Sequence, residues 1–518
     1  MLDRRQLIFA GASGLLAAPL FAADVPDESW VNVRRFGAKG DGTTIDTPAI
    51  NKAIDYAAAR GGGTVYFPPG TYACYTIRLK SRIGLHLDHG AIILAAQAPQ
   101  DGVGGYDVAE PQDPAFEAYQ DYGHNHWRNS LIWGEGLADI AVTGSGLIWG
   151  KGLGRGSDGY MKDANGPGTA NKAIALKNCH NVLLRDFRIL QGGWFGLLLT
   201  GVDNLTIDNL LIDTNRDGMD IDCCRNVRVS NCTVNSPYDD GICPKSSFAL
   251  GYPRSTENVT ITNCMVTGNY VIGSVLDGTW KKMGPEFAGN VHGRIKFGTE
   301  SNGGFKNITI DNCTFDDSQG LALETVDGAN MEDVTVSNIT MRGSFSSPFF
   351  LRLGRRMRGP KGRPIGTLKR VMISNVTSSG AGFLPSIIAG LPDHPVEDVK
   401  ISDVYLHQRG GAPEAMAHLN PPANEDMYPE PKMFGDLPAS GFFIRHARNV
   451  EMSNVEVAVA TADPRPAFRI EHVDGADFFR VRAPKGPVFS LEDVRNFSLS
   501  GSGRLRDRRL EGPGSAVF

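Results

Sequence analysis

Two short segments of this 518-residue chain concentrate carboxylates in a way that could move protons. Asn215-Arg216-Asp217-Gly218-Met219-Asp220-Ile221-Asp222 is followed by Tyr238-Asp239-Asp240-Gly241-Ile242-Cys243-Pro244-Lys245-Ser246. Asp217 and Asp239 lie 22 residues apart. Further on, Gly293-Arg294-Ile295-Lys296 offers two cations at alternate positions, which share one side of an extended strand. Crowded carboxylates cannot all ionise cheaply, so one keeps its proton near neutral pH and can act as an acid. Cations beside them can hold an anion. This is equipment for general acid–base chemistry on a negatively charged substrate.

Residues 22 positions apart cooperate only if the chain returns on itself at that interval, and the sequence repeats on that scale. A short pattern recurs: Asn or a near substitute, an aliphatic or β-branched residue, any residue, an aliphatic residue, two polar residues, then a core residue. Copies open at Asn181, Asn204, Asn226, Asn258, Asn307, Asp333, Arg370, Asp398 and Asn449, with weaker ones at Asp139 and Asn496. The first intervals are 23 and 22 residues, followed by 32 and 49. Each copy alternates with period two, which is strand periodicity. One strong strand per unit predicts an all-β solenoid of parallel coils stacked ~4.8 Å apart, a parallel β-helix. A leucine-rich horseshoe would need Leu at fixed slots plus a helix per unit, and a propeller four strands per ~40 residues.

On such a frame Asp217 and Asp239 project from one face of consecutive coils. Glu300 and Glu324 can reach that face from neighbouring coils, as spare acids or substrate binders. Asp220 and Asp222 read as supporting residues, because Asp is favoured at turns that need side-chain acceptors. A capping helix is predicted from Thr47 (N-cap) and Pro48 to a stop at Gly61-Gly62-Gly63. Residues 101–130 and 409–440 break the rhythm and read as excursions.

Composition narrows the class. Sixty-two glycines and 30 prolines exclude a helical bundle, and 41% hydrophobic residues exclude wholesale disorder. A net charge of −5 argues against nucleic acid as the main partner. Residues 1–22, with Arg4-Arg5 ahead of an apolar run, predict a twin-arginine-like export signal and a periplasmic or extracellular location. Residues 23–518 are then one β-helix domain, without a membrane span and expected to be a monomer. Cys232, Cys264 and Cys313 occupy the core slot of their repeats, which argues against disulfides there. No Cys/His spacing suggests a metal, and no cofactor is expected. Residues 351–370 carry eight cations and no acid, suited either to a polyanionic substrate chain or to a solvated loop. Trp194, Tyr238, Tyr270 and Trp280 could stack on the ring of a substrate or simply pack.

The order Asn215-Arg216-Asp217, Asp239-Asp240 and Arg294-Ile295-Lys296 resembles glycoside hydrolase family 28, the polygalacturonases and related pectin-cleaving enzymes. The resemblance runs from Val33 to about residue 405. It implies a single-stranded, right-handed parallel β-helix of the pectin-lyase-like kind, and hydrolysis with inversion of galacturonic-acid-containing pectic glycans. Asp239 would be the general acid, and Asp217 and Asp240 would activate water. Arg294 and Lys296 would hold a uronate carboxylate, with Asn215 supporting the site by hydrogen bonding. Two departures stand out: Arg216 replaces the family's Thr, and Gly-His-Gly is missing, its place taken by a segment with Asn269 and Tyr270. Tyr270 is therefore a substrate-binding candidate, whereas His292 reads first as a structural histidine. A β-helix polysaccharide lyase and a non-catalytic glycan-binding β-helix are the alternatives.

Overall fold

The computed structural model describes residues 30–99, 103–121, 123–154, 166–287, 291–380 and 382–518. The expected export signal lies outside them. Thirty strands from Trp30–Asn32 to Gly514–Val517 join in one sheet, and a second sheet of six strands runs beside it. The chain is a right-handed parallel β-helix, as expected.

The recurring motif explains the winding. In the copy at Arg225–Ser230, Val227 and Val229 point inward while their neighbours face out. Val227 stands in register with Leu205 below and Val259 above, and the same slot continues through Ile308, Val334 and Val371. The leading Asn is a corner. Asn181, Asn204, Asn226, Asn258 and Asn307 all adopt φ between 51° and 57°, the left-handed region that Asn tolerates better than most residues. Each amide donates to the one below, Asn204 to Asn181 (3.0 Å), Asn226 to Asn204 (3.2 Å), Asn258 to Asn226 (2.9 Å) and Asn307 to Asn258 (2.8 Å). Asn209, Asn231 and Asn263 mark a second left-handed corner with its own ladder. One residue beyond that corner sits the core slot of Cys232, Cys264 and Cys313. All eight cysteines are buried free thiols.

The ends are closed differently. The helix Thr47–Ala59 buries Ile50, Ala53, Ile54 and Ala57, an i, i+3, i+4, i+7 stripe, over the first coil. Its N-cap is Asp46 rather than Thr47, one residue earlier than predicted. The reason is that Asp46 takes the Lys39 and Gly40 amides (2.6 and 2.9 Å), while the Thr47 hydroxyl accepts from Tyr75 N (2.7 Å). At the other end Arg508–Leu510 and Gly514–Val517 return antiparallel to Phe489–Ser500.

The six-stranded sheet carries the chemistry. It stacks Ile77–Arg78, Ile132–Glu135, Lys172–Lys177, Phe195–Thr200, Asp217–Asp222 and Ile242–Lys245. Ile174, Leu197, Met219 and Ile242 fill its core side. Every residue of Phe195–Thr200 and Asp217–Asp222 is buried, because excursions cover the outer side as well. Trp127, Ala175, Trp194, Phe195, Leu198 and Ala249 form a second apolar cluster there.

Candidate active site

The three carboxyls singled out by sequence meet at the end of this sheet. The strand Asp217–Asp222 pairs with Ile242–Lys245, so Asp239 and Asp240 form the turn immediately before its partner strand. The coils approach closely: a Cβ on Gly218 would stand 2.4 Å from the Gly241 carbonyl. The Asp240 N–H lies between two acceptors, Asp217 Oδ1 at 3.3 Å and Asp239 Oδ1 at 3.1 Å. One amide thus holds two carboxyls of consecutive coils side by side.

Their environments differ. Burial pushes Asp217 well above the usual carboxylate range, and the neighbouring charges of Asp220 and Asp239 push the same way. Burial would raise Asp240 too, but Lys296 and Arg294 outweigh it and hold Asp240 well below that range. Arg294 Nε lies 2.8 Å from Asp240 Oδ1, and Lys296 Nζ 3.4 Å from Oδ2. Asp239 is the open member, with 23% of its side chain accessible, and it pairs with Arg216. Arg216 in turn lies flat over Trp194, 3.9 Å from the ring centroid. His292, first read as structural, joins them: its ring nitrogen and the Asp239 and Asp240 oxygens lie within 4.8 Å of one another. Burial lowers its proton affinity, partly offset by Asp239 and Asp240.

Both excursions reach into the site and bring residues that no repeat pattern could flag. From the first, His124 Nε2 contacts Asp220 Oδ2 at 2.7 Å, and the Asp121 amide donates to Glu300 Oε1 at 2.9 Å. Burial opposes a charge on His124, but Glu300 and Asp220 overcome it and raise its proton affinity. Glu300 also takes Lys245 (3.3 Å) and Arg358 (3.0 Å), which hold it well below the ordinary range against the effect of burial. It is therefore an inner anchor for the excursion, not a spare acid or sugar binder. Asp222 is structural as expected, accepting from Ser247 N (2.8 Å) and Oγ (2.6 Å).

From the second excursion, Glu430 meets Arg294 Nη2 at 2.5 Å and Lys296 Nζ at 3.6 Å. The Tyr428 hydroxyl lies 3.4 Å from Lys296 Nζ and accepts from Thr299 Oγ1 at 2.8 Å. Glu324 stands 3.9 Å from Lys296, fully buried, and neither of its oxygens has a hydrogen-bond partner. Burial pushes its carboxyl up to about 8. It keeps its proton at neutral pH and has no surface to offer a sugar.

Several expectations change at this point. Arg294 and Lys296 expose only 1% and 2% of their side chains, so as packed they present no surface to a uronate. Their charges are already matched by Asp240 and Glu430. Tyr270 is also buried: its hydroxyl donates to Asp316 (2.7 Å) and its carbonyl accepts from Asn235 (3.0 Å). It pins the 268–287 segment rather than offering its ring to a substrate. Asp213 pins the same segment, accepting from Gly273 N (2.8 Å) and Val275 N (3.1 Å). Asn215 is buried beside the site, with its carbonyl accepting from Tyr238 N (3.0 Å) and its Oδ1 unpartnered. Half of the basic run is tied to carboxylates elsewhere in the chain: Arg355 pairs with Asp393, Arg356 with Asp327, Arg358 with Glu300 and Arg370 with Glu332. Two groups, His124/Asp217/Asp220 and Asp239/Asp240/His292, have ligand atoms close enough to share a cation, but Lys245, Arg216, Arg294 and Lys296 already supply positive charge there.

Comparison with known proteins agrees with this fold. Residues 30–87 match the family model described as rhamnogalacturonase A/epimerase, pectate lyase-like, and residues 164–291 match that of a right-handed β-helix region. A probable polygalacturonase of Vitis vinifera is 24% identical over 401 residues, covering 72% of this chain and 73% of the relative. An exo-poly-alpha-D-galacturonosidase of Dickeya chrysanthemi is 23% identical over 448 residues, covering 72% and 71%. A shorter match, 33% over 186 residues, covers 32% of this chain and 18% of mannuronan C5-epimerase AlgE2 of Azotobacter vinelandii. Among solved structures, a hyperthermoactive exopolygalacturonase from Thermotoga maritima superposes with a TM-score of 0.58 at 17% identity, over 94% of this chain and 95% of the other.

Proposed function

We propose that this homologue of the polygalacturonases is a glycoside hydrolase acting on galacturonic-acid-containing pectic glycans. The observation that carries the reading is the division among three adjoining carboxyls: burial holds Asp217 well above the ordinary carboxylate range, Lys296 and Arg294 hold Asp240 well below it, and Asp239 is the accessible member. Hydrolysis needs one group that gives a proton to the leaving oxygen and another that takes one from water. Asp239 is the accessible donor, and Asp217 shares an amide with it through which the two carboxyls stay adjacent. Asp240 is too acidic to accept a proton readily, so it serves to fix the local field. Asp217 is the better of the two candidates for the base.

The balanced cycle is short. The Asp217 proton passes to Asp239 and from there to the glycosidic oxygen as its bond to the anomeric carbon breaks. Water bonds to that carbon and gives its proton to Asp217, so the trio returns to its starting state and one water is consumed. Inversion is the stereochemistry that the resemblance implies, and proton NMR of the first-formed anomer checks it. Excursions sealing the site from two sides favour release of short products from chain ends, so polymer length should fall slowly as reducing ends accumulate.

The test is a screen on homogalacturonan and rhamnogalacturonan. Hydrolysis gives new reducing ends without ultraviolet-absorbing unsaturation. Unsaturated products would make the protein a lyase, C5 inversion without cleavage an epimerase, and binding without turnover a glycan-binding β-helix.

A further inference from the structure

We infer that Arg216, not the Arg294/Lys296 pair, binds the carboxylate of the uronic acid at the scissile bond, and that this binding releases Asp239 to act as the acid. The inference rests on the glycoside hydrolase reading above.

Two observations point the same way. First, the seat between Arg294 and Lys296 is filled by the protein's own carboxylates. Arg294 spends Nε on Asp240 (2.8 Å) and Nη2 on Glu430 (2.5 Å). Lys296 Nζ is surrounded by Asp240, Glu430 and the Tyr428 hydroxyl within 3.6 Å, with the Tyr428 ring centroid 5.3 Å away. An arriving carboxylate would find neither surface nor a matching charge.

Second, Arg216 has what that pair lacks. Its side chain is 22% accessible, and its only carboxylate partner shown, Asp239, is equally open. The Trp194 ring backs the guanidinium carbon at 3.9 Å, and Nη2, the donor now held by Asp239, is the one a substrate carboxylate would take over. This is the position where Arg stands in place of the Thr of the family motif.

The exchange has a chemical consequence. When the substrate carboxylate takes Arg216, Asp239 is released from its ion pair while it still shares the Asp240 amide with Asp217. The proton comes from Asp217, and the cycle above then runs without any other donor. The charge of the substrate thus arms the acid, and a methyl-esterified residue at the same place cannot.

The experiment compares kcat/KM on oligogalacturonides with free carboxylates and on their methyl esters, for the wild type, Arg216→Lys, Arg216→Gln and Glu430→Gln. Calorimetric binding of trigalacturonate and its methyl ester is measured on the same proteins. The wild type should prefer the free acid by about 10- to 100-fold, the span of a charge-assisted hydrogen bond. Arg216→Gln should abolish the preference, chiefly through kcat, and Arg216→Lys should keep part of it. Glu430→Gln should leave the ratio within about threefold, well under the tenfold that one charge-assisted contact is worth. An Arg216→Gln protein that keeps the wild-type preference in both kinetics and binding overturns the inference. So does a Glu430→Gln protein that gains a stronger one. A wild type that binds trigalacturonate through Arg216 but never cleaves it overturns the hydrolase reading and leaves the carboxylate seat in place.

Discussion

Replacing Glu324 with Gln should stabilise the protein in alkali and leave it nearly unchanged in mild acid. The Glu324 carboxyl is fully buried, neither oxygen is hydrogen-bonded, and the nearest cation, Lys296, is 3.9 Å away. Burial lifts it from 4.5 to about 8. Between those values the unfolded chain loses a proton that the folded chain keeps. A raised folded-state value therefore gives full stability below pH 4.5, which falls as pH climbs through 8. At about 1.4 kcal/mol per pH unit, the loss reaches on the order of 4 kcal/mol by pH 9. Gln fills nearly the same volume and does not titrate. The two proteins should match within about 1 kcal/mol at pH 5, since the swap is nearly isosteric, and separate by several-fold that amount at pH 9. Denaturant unfolding of both at pH 5, 7 and 9 measures it, and the difference between them cancels the other titrating groups. Parallel pH dependence of the two midpoints would show that the Glu324 carboxyl does not keep its proton, and would refute the argument.

Lys172 should behave in the opposite sense. It is buried with Asn129 Oδ1 (2.9 Å) and Asn171 Oδ1 (2.5 Å) as partners, and burial lowers it from 10.5 to about 7. The folded chain sheds this proton before the unfolded one, so the site destabilises below pH 7 and recovers towards 10.5. Lys172→Met should be most stabilising at or below pH 7, seen as a thermal midpoint shift that vanishes in alkali. In the ladder, Asn226→Ala should cost about 2 kcal/mol, from a left-handed backbone plus lost amide bonds, while Asn226→Gly should cost less because it keeps the backbone; chemical denaturation separates the two. Asp239→Asn and Asp217→Asn should each lower kcat on the preferred glycan by roughly 10²- to 10⁴-fold with the fold intact by circular dichroism. The Asp217 change should also remove the ionisation that shapes the rate on the alkaline side, visible in the pH profile.

The coils were legible because a single short pattern carries two independent requirements. Val227 and Val229 alternate with polar neighbours, which marks a strand, and Asn226 and Asn231 sit at corners that need a left-handed backbone and a stackable amide. Every copy keeps the alternation and the left-handed corner, so a substitution such as Arg370, which lacks the amide, still falls into place, held by Asp333 and Glu332. The carboxyl trio was legible for the same reason, since register fixes Asp217 against the coil that carries Asp239 and Asp240. What could not be read was who neutralises whom. Glu430 is 136 residues from Arg294 and Arg358 is 237 from Asp121, and those pairings are made by excursions with no periodicity. Arg294 and Lys296 looked like a free anion site because nothing in their own coil announces Glu430. Tyr270 looked like a sugar platform because an aromatic near a cleft is indistinguishable, as letters, from one that pins a loop.

The corner ladders also set where this molecule can be edited. A coil that must keep its Asn in step with the coil beneath cannot gain or lose residues on that side. The long excursions between Ala95 and Ile132, between Thr267 and Lys296, and between Gly410 and Phe442 all leave the register of their flanking strands undisturbed. Lengthening such a loop costs only about 0.6 kcal/mol per doubling. The scaffold is thus rigid along one seam and permissive opposite it, so a new substrate preference can be acquired by exchanging whole loops while the stack beneath stays the same. Transplanting an excursion should carry its specificity with it, as a cartridge does.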